Sequence, residues 1–194
     1  MNLDEYREWL EKNGNQEEKM AYEIAKEVIE YHLSYNSPDD WSEKLYPRKW
    51  VRNEKDNLEF DLLIELNWKQ STWTGERNYK RIIGIEFKET DFRKVVDQAI
   101  LRSRYVDYMW IATRDVFADE FSFLEMLEHG IGWIIWDEDF VKILFPAKYT
   151  RSETRSEFYI KYLAEKEVRR AVQNLMNDSK VSAGIRSLFD FVEG

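Results

Sequence analysis

The amino-acid sequence predicts an α/β protein in which helices flank a mixed central sheet and a C-terminal helical extension follows. Three observations support this fold class. Apolar residues recur at helical spacing over 16–35. Strands at 58–66 and 79–89 are followed by a helix and a wholly apolar strand at 108–113, which is typical of a crossover to a central parallel strand. With 7 Gly and 3 Pro in 194 residues, we expect long regular elements and few loops.

The first half of the chain predicts two helices and three strands. The first helix ends at Asn13-Gly14, a typical C-terminal signal. The second carries Met20, Ala21, Ile24, Ala25, Val28 and His32 on one face. The predicted elements are helices at 3–12 and 16–35, strands at 44–53, 58–66 and 79–89, and a loop from Trp68 to Asn78.

The second half predicts a helix that Thr90 or Asp91 caps and that runs to about Tyr105. Because this helix connects 79–89 to 108–113, we expect those strands to be parallel neighbours, with 58–66 beside 79–89 in the same sheet. Residues 1–150 then form the core and 151–194 the extension. The further predicted elements are a helix at 120–129, strands at 131–136 and 141–146, and helices at 153–177 and 180–192.

Composition excludes several classes of site and of protein. There is no cysteine, which excludes disulfides, thiolate catalysis and cysteine-ligated metals. The only histidines are His32, expected to be a satisfied core residue, and His129, expected at a helix C-terminus. No apolar run reaches the ~20 residues of a membrane span, the N-terminal segment does not have a signal-peptide pattern, and a cytoplasmic location is expected. The net charge of −9 disfavours a simple nucleic-acid coat, although segment 69–104 carries nine basic and five acidic residues.

Three charged side chains lie inside the apolar strands. Asp61 interrupts LEFDLLIEL, and Glu86 and Lys88 follow in IGIEFKE. Residues two apart on a strand share a face, so Glu86 and Lys88 point together while Phe87 points away with Ile83 and Ile85. A buried carboxylate must be paired or bound to a metal. Two carboxylates from adjacent strands with a main-chain carbonyl suit Mg²⁺, and the alternative is a structural ion pair across the strands.

The order of these residues resembles that of the PD-(D/E)XK nuclease superfamily, which has the restriction-endonuclease-like fold. The similar segments are GIEFKETDFRKVVDQAILRSRYVDYMWIAT (84–113) and GIGWIIWDED (130–139), within a resemblance that spans roughly 15–147. It implies metal-dependent DNA cleavage in which Asp61, Glu86 and the Phe87 main-chain carbonyl bind Mg²⁺ or Mn²⁺ and Lys88 assists water attack. Phe60 replaces the superfamily's frequent proline before its aspartate.

The resemblance also implies supporting residues. An acidic residue of the first core helix joins the metal site in many members, and helical phase favours Glu17, with Glu18 second; the alternative is a glutamate stabilised by the helix dipole. Gln98 is expected to contact the metal water, Lys88 or a phosphate, or else to be a boundary residue. Arg102, in place of the tyrosine of RecB-type members, is expected to contact a phosphate or to be solvated.

The remaining expectations concern partners. Lys69 and Arg77 lie among Trp68 and Trp73 in the predicted loop, a pattern that can grip DNA or form a plain exposed loop. The predicted function is a metal-dependent deoxyribonuclease. The alternative is a catalytically inactive nuclease fold that binds DNA or another protein. A homodimer through the apolar stripe of 151–194, or through the core's edge, is a further expectation, and the alternative is that residues 153–192 fold back on their own core.

Overall fold

The structure is a computed structural model that describes residues 1–52, 57–114 and 118–150. Its elements follow one another as helices α1 and α2, strands β1 to β3, helix α3, strand β4, helix α4 and strands β5 and β6. The predicted helices at 153–177 and 180–192, and the dimer contact expected from them, lie outside the described residues. The bounds are α1 Leu3–Asn13, α2 Ala21–Asn36, β1 Asp40–Arg52, β2 Asn57–Thr72, β3 Gly75–Lys88, α3 Phe92–Ser103, β4 Tyr108–Thr113, α4 Glu120–Glu128, β5 Gly132–Asp137 and β6 Phe140–Phe145.

The described strands form one mixed sheet in the order β1-β2-β3-β4-β5-β6. β1, β2 and β3 are antiparallel neighbours. The crossover through α3 makes β4 parallel to β3, and β5 is parallel to β4. β6 returns antiparallel to β5. The predicted neighbours and the predicted parallel pair are therefore confirmed, as is the mixed α/β architecture.

Helices cover both faces of the sheet. α1 and α2 bury their apolar faces on one side, while α3 packs on β3, β4 and α4. The α2 side of β3 carries Ile83, Ile85 and Phe87, as the alternation predicted. Within the described ranges, no helix is both long and apolar enough to cross a bilayer.

The second predicted helix is interrupted. Residues Gln16–Glu18 form a single 3₁₀ turn, and α2 begins only at Ala21. Asn15 and Glu18 cap this turn reciprocally, because the Asn15 side chain accepts from the Glu18 N–H while the Glu18 carboxylate accepts from the Asn15 N–H. The continuous helix at 16–35 is therefore wrong at its N-terminal end.

The predicted loop from Trp68 to Asn78 is also wrong. β2 and β3 continue as one long hairpin, paired from Leu62–Ile85 to Thr72–Gly75. Only Trp73 and Thr74 form the turn, and Gly75 supplies the positive φ of 115° that closes it. Polar residues in this segment are compatible with strand because both faces of the hairpin's end are largely open to water.

The two histidines occupy their predicted regions. His129 is the C-terminal cap residue of α4. His32 is buried among Tyr31, Tyr108 and Trp110, but its Nε2 has no hydrogen-bond partner in the described part of the chain. The expected core position is confirmed, whereas the expected satisfied side chain is wrong. Burial lowers the pKa of His32 to about 4.

Candidate active site

Asp61 lies where β2 and β3 stop pairing. Their register ends at Leu62–Ile85, and the β1–β2 register omits Arg48, whose φ is +46°, and Asp61. The Asp61 Oδ2 accepts the Phe87 N–H at 2.8 Å, so a side chain replaces the missing backbone acceptor. In return, the Asp61 main-chain N–H donates to the Glu86 carboxylate. These reciprocal bonds bring the two predicted acids together at the separation of the strands.

Glu86 faces the α3 side of the sheet and is 1% exposed. Burial raises its pKa well above the ordinary value, and the neighbouring Asp61 raises it further. Burial likewise raises the pKa of Asp61 to about 6, against the lowering effect of the Phe87 hydrogen bond and of Arg102. Two carboxylates thus share a site that disfavours negative charge on both.

Arg102 is the buried cation beside these acids. Its Nε donates to the Glu59 carbonyl at 2.7 Å and lies 3.1 Å from the Glu86 Oε1. Only 11% of its side chain is exposed, so the expectation of a solvated arginine is wrong, and its contact with a phosphate stays a prediction. The long Arg102 side chain reaches the Glu86 carboxylate on β3 and the Glu59 carbonyl on β2. These two acceptors offset the cost of burying the guanidinium. Sequence periodicity placed Arg102 on a flank because it does not reveal these acceptors.

Lys88 and Glu17 meet at the end of β3. The Lys88 ammonium contacts the Glu17 Oε1, and 19% of the lysine side chain is exposed. Glu17 comes from the 3₁₀ turn, which explains why helical phase brought it to the correct region without giving its partner. Its carboxylate is held by Lys88, beside the two buried acids.

Glu18 has a different partner. It is 4% exposed and forms an ion pair with Arg48 at 2.6 Å. Both Glu17 and Glu18 still raise the pKa of Asp61, which shows that their charges act at the site. A small cleft of about 180 Å³ opens here, lined by Asn15, Glu17, Glu18, Arg48, Glu59, Asp61 and Phe87. Glu59 escaped the sequence analysis because nothing in its pattern distinguishes it from an ordinary strand residue.

Gln98 stands on α3 one turn before Arg102 and is half-buried. Its main-chain carbonyl accepts from the Arg102 Nη1 at 3.0 Å. No hydrogen bond joins its amide to Asp61, Glu86 or Lys88 among the residues described. Its contact with a metal water or a phosphate stays a prediction.

The oxygen atoms around Asp61 and Glu86 are the candidate ligands for a divalent cation. In the described segments, no three Asp, Glu or His side chains converge as a ready metal cluster. Mg²⁺ needs fewer protein ligands than that, since it keeps several waters. The Glu86 Oε1 is buried without a hydrogen-bond donor. Carboxylates also outnumber basic groups in this region by five to three. The carboxylates are those of Glu17, Glu18, Glu59, Asp61 and Glu86, and the basic groups are Arg48, Lys88 and Arg102. Oxygen atoms are the ligand type that hard divalent cations bind.

The predicted DNA contacts Lys69 and Arg77 lie elsewhere. Both are exposed on the outer part of the β2–β3 hairpin, at the opposite end of these strands from Asp61. Trp68 is buried and stacks on Tyr79 at 5.3 Å, whereas Trp73 at the turn is 98% exposed. The structure therefore separates these residues from the acidic site.

The chain matches no protein-family model and no curated protein. It is similar to the solved structure of a protein of unknown function from Silicibacter pomeroyi, with 14% identity and a TM-score of 0.42. The similarity covers 80% of this chain and 90% of that chain.

Proposed function

We propose that this protein is a metal-dependent deoxyribonuclease of the PD-(D/E)XK type, with a restriction-endonuclease-like core. The observation that carries the proposal is the pair Asp61 and Glu86. Glu86 is buried and Asp61 is partly buried, both have raised pKa values, and they are tied together by reciprocal bonds where β2 and β3 separate. Placing two like charges together away from water costs free energy. Binding of a divalent cation between them would offset this cost, and such a cation acts on a phosphodiester substrate.

In this proposal Asp61, Glu86 and the Phe87 carbonyl hold Mg²⁺ or Mn²⁺. The cation supplies an acidified water and positive charge for the phosphate at the transition state. Lys88 lies at the same strand end and either accepts a proton from water or neutralises phosphate charge. Glu17, which contacts the Lys88 ammonium, orients the lysine. Arg102 balances one negative charge of the buried pair while its Nε–H is directed to the Glu59 carbonyl.

The test is cleavage of labelled single-stranded and duplex DNA with Mg²⁺, Mn²⁺ or EDTA. Asp61→Asn and Glu86→Gln should reduce metal-dependent cleavage to background, because each removes a ligand charge. Glu65→Gln is the matched control, since Glu65 is a buried β2 carboxylate that pairs with Lys80 at 2.9 Å outside the site. Equal cleavage by all four proteins would show that the activity comes from another site or from a contaminant.

The second candidate function is a nuclease fold that binds DNA, or another protein, without cutting. The Arg102–Glu86 contact favours it, since an internal ion pair satisfies Glu86 partly without metal. Metal-binding calorimetry separates the two functions. Heat from Mn²⁺ binding to the wild type but not to Glu86→Gln supports the nuclease, whereas DNA binding without metal binding or cleavage supports the second candidate.

A further inference from the structure

The outer end of the β2–β3 hairpin collects exposed aromatic residues. Trp73 at the turn is 98% exposed, Tyr35 at the end of α2 is 83% exposed, and Trp41 on β1 is 45% exposed. These three account for most of the exposed large aromatic side chains in the described ranges; the others are Phe121 and Phe140. We call Tyr35, Trp41, Trp73 and Arg77 the hairpin surface.

Hydrogen bonds hold the parts of this surface together. The Gln70 Nε2 donates to the Asn36 carbonyl at 2.8 Å, which ties β2 to the end of α2. The Asp39 carboxylate accepts the Ser71 N–H at 2.7 Å, and the Asp39 N–H donates to the Lys69 carbonyl. Tyr35 and Trp41 are therefore anchored beside the hairpin. Tyr35, Trp41 and Trp73 are exposed to solvent, so packing in the core does not account for these aromatic side chains.

The strand register gives the aromatic side chains a common row. Trp41 is opposite Trp68, which is opposite Tyr79, so the three rings lie on one face of the sheet. Trp68 is buried by its stacking on Tyr79 and by the Arg81 guanidinium, 5.7 Å from its ring. Trp73 lies five residues beyond Trp68, or about 17 Å along the strand at ~3.3 Å per residue.

The charge of this region is opposite to that of the whole protein. Residues 66–81 contain four basic residues and one acidic residue, on a chain of net charge −9. Lys69 and Arg77 are exposed, and neither forms an ion pair with any residue in the described segments. Arg77, which is opposite Gln70, shares the sheet face of Trp41 and Trp68, whereas Lys69 points to the other face. A cation without an ion pair among exposed aromatic rings suits a flexible polyanion that has flat faces of its own.

We propose that the hairpin surface binds single-stranded DNA, stacking bases on Tyr35, Trp41 and Trp73 and placing a phosphate on Arg77. The choice of DNA rests on the proposed nuclease function. Single strands are favoured over duplex because the rings need unstacked base faces. Seven residues separate Trp68 from Asp61 and twelve separate Trp73 from it, which is about 23 to 40 Å along β2 at ~3.3 Å per residue. A bound strand would have to extend about 7 to 12 nucleotides, at ~3.4 Å each, to reach the acids.

The first experiment measures binding without cleavage. Glu86→Gln protein in EDTA is titrated into a fluorescein-labelled 20-nucleotide oligothymidine, and anisotropy gives Kd over a range of salt concentrations. Adding Trp73→Ala should raise Kd about 5- to 100-fold through loss of one stacked base. Phe121→Ala, which removes an exposed ring of α4, is the matched control and should leave Kd unchanged. Because Trp73 is almost fully exposed, its replacement leaves the fold intact, and circular dichroism verifies this.

The Arg77 cation is tested through salt dependence. Arg77→Ala should reduce the slope of log Kd against log salt by about 0.7. An unchanged Kd in Trp73→Ala, or duplex of the same length binding as tightly as the single strand, would overturn the proposal.

Cleavage kinetics distinguish this inference from the proposed function. With wild-type protein, Trp73→Ala should raise KM for a 20-nucleotide strand at constant kcat and leave cleavage of a 6-nucleotide strand unchanged. If the wild type cleaves DNA and Trp73→Ala binds it unaltered, DNA binding by the hairpin surface is refuted and the nuclease proposal stands. If binding depends on Trp73 but no cleavage occurs, DNA binding by the hairpin surface is supported and the nuclease proposal is refuted.

Discussion

Replacing Asp61 with asparagine should stabilise the metal-free protein at neutral pH. Burial raises the pKa of Asp61 from 3.8 to about 6, a shift of about two units, and one unit corresponds to ~1.36 kcal/mol. An acid whose pKa is higher in the folded state stabilises the fold fully below its unfolded value. That contribution is lost as pH rises from about 4 through 6. At pH 7 the ionised Asp61 therefore costs about 3 kcal/mol relative to a neutral side chain.

The asparagine variant isolates this cost. Its amide oxygen can still accept the Phe87 N–H, which Asp61 accepts at 2.8 Å, and the amide is neutral at every pH. The free energy of unfolding is measured by urea denaturation in EDTA between pH 4 and pH 8. The variant and the wild type should be equally stable near pH 4, and the variant should lead by up to about 3 kcal/mol at pH 7. For a chain of this size that is a rise in Tm of roughly 6–12 °C.

The matched control is Asp97→Asn on the exposed side of α3, which should leave the pH profile of stability unchanged. A difference between Asp61→Asn and wild type that stays constant with pH would refute the electrostatic reasoning. Saturating Mn²⁺ should reverse the order, because a ligand that binds only the folded wild type stabilises it by mass action. Failure of Mn²⁺ to stabilise the wild type would contradict the metal assignment while leaving the burial argument intact.

Three further predictions concern Lys88 and Arg102 near the acids, and His32 in the core. Lys88→Ala should lower turnover by about 10²- to 10⁴-fold with metal affinity unchanged in calorimetry, and partial activity in Lys88→Arg would favour an electrostatic role over proton transfer. Arg102→Met should destabilise the fold by about 3–5 kcal/mol at pH 7 because it leaves Glu86 buried without a cation, whereas the exposed Arg93→Met should change stability by less than ~0.5 kcal/mol; equal effects would contradict the ion pair. His32, whose pKa burial lowers to about 4, should stabilise the fold above pH 6.5 and lose that contribution as pH falls towards 4, and NMR ring-proton shifts that move near pH 6.5 would disprove its burial in the neutral form.

Local pattern was sufficient for the sheet and for the pairing of acids. The alternation around Glu86 predicted that Ile83, Ile85 and Phe87 share one face of β3 and that Glu86 points to the other, because the side-chain period of a strand is two wherever pairing is regular. The continuous apolar character of β4 predicted its central position, and its residues are buried almost throughout. The helix between β3 and β4 required a crossover, and hence parallel strands.

The errors share a physical cause, which is that partners distant in sequence decide marginal cases. The polar segment from Trp68 to Asn78 reads equally as loop or strand, and its pairing across the hairpin decides the outcome. Arg102 reads as a surface residue until the Glu59 carbonyl and the Glu86 carboxylate are brought to it. Glu17 was placed near the site by helical phase, yet a 3₁₀ turn and Lys88 set its orientation.

The sequence by itself determined the order of the elements, the mixed sheet and the identity of the two acids that interrupt apolar strands, since these depend on periodicity and on which residue types interrupt it. Only the tertiary structure decided the burial, the hydrogen bonds and the neighbouring charges of those acids. The end of β2–β3 pairing links Asp61 to Phe87 and Glu86, and α3 carries Arg102 against them. The same folding displaces Trp73 and its neighbouring cations to the far end of the hairpin. The pKa of each acid depends on burial and on charges contributed by residues from separate parts of the chain, and no local sequence pattern contains that information.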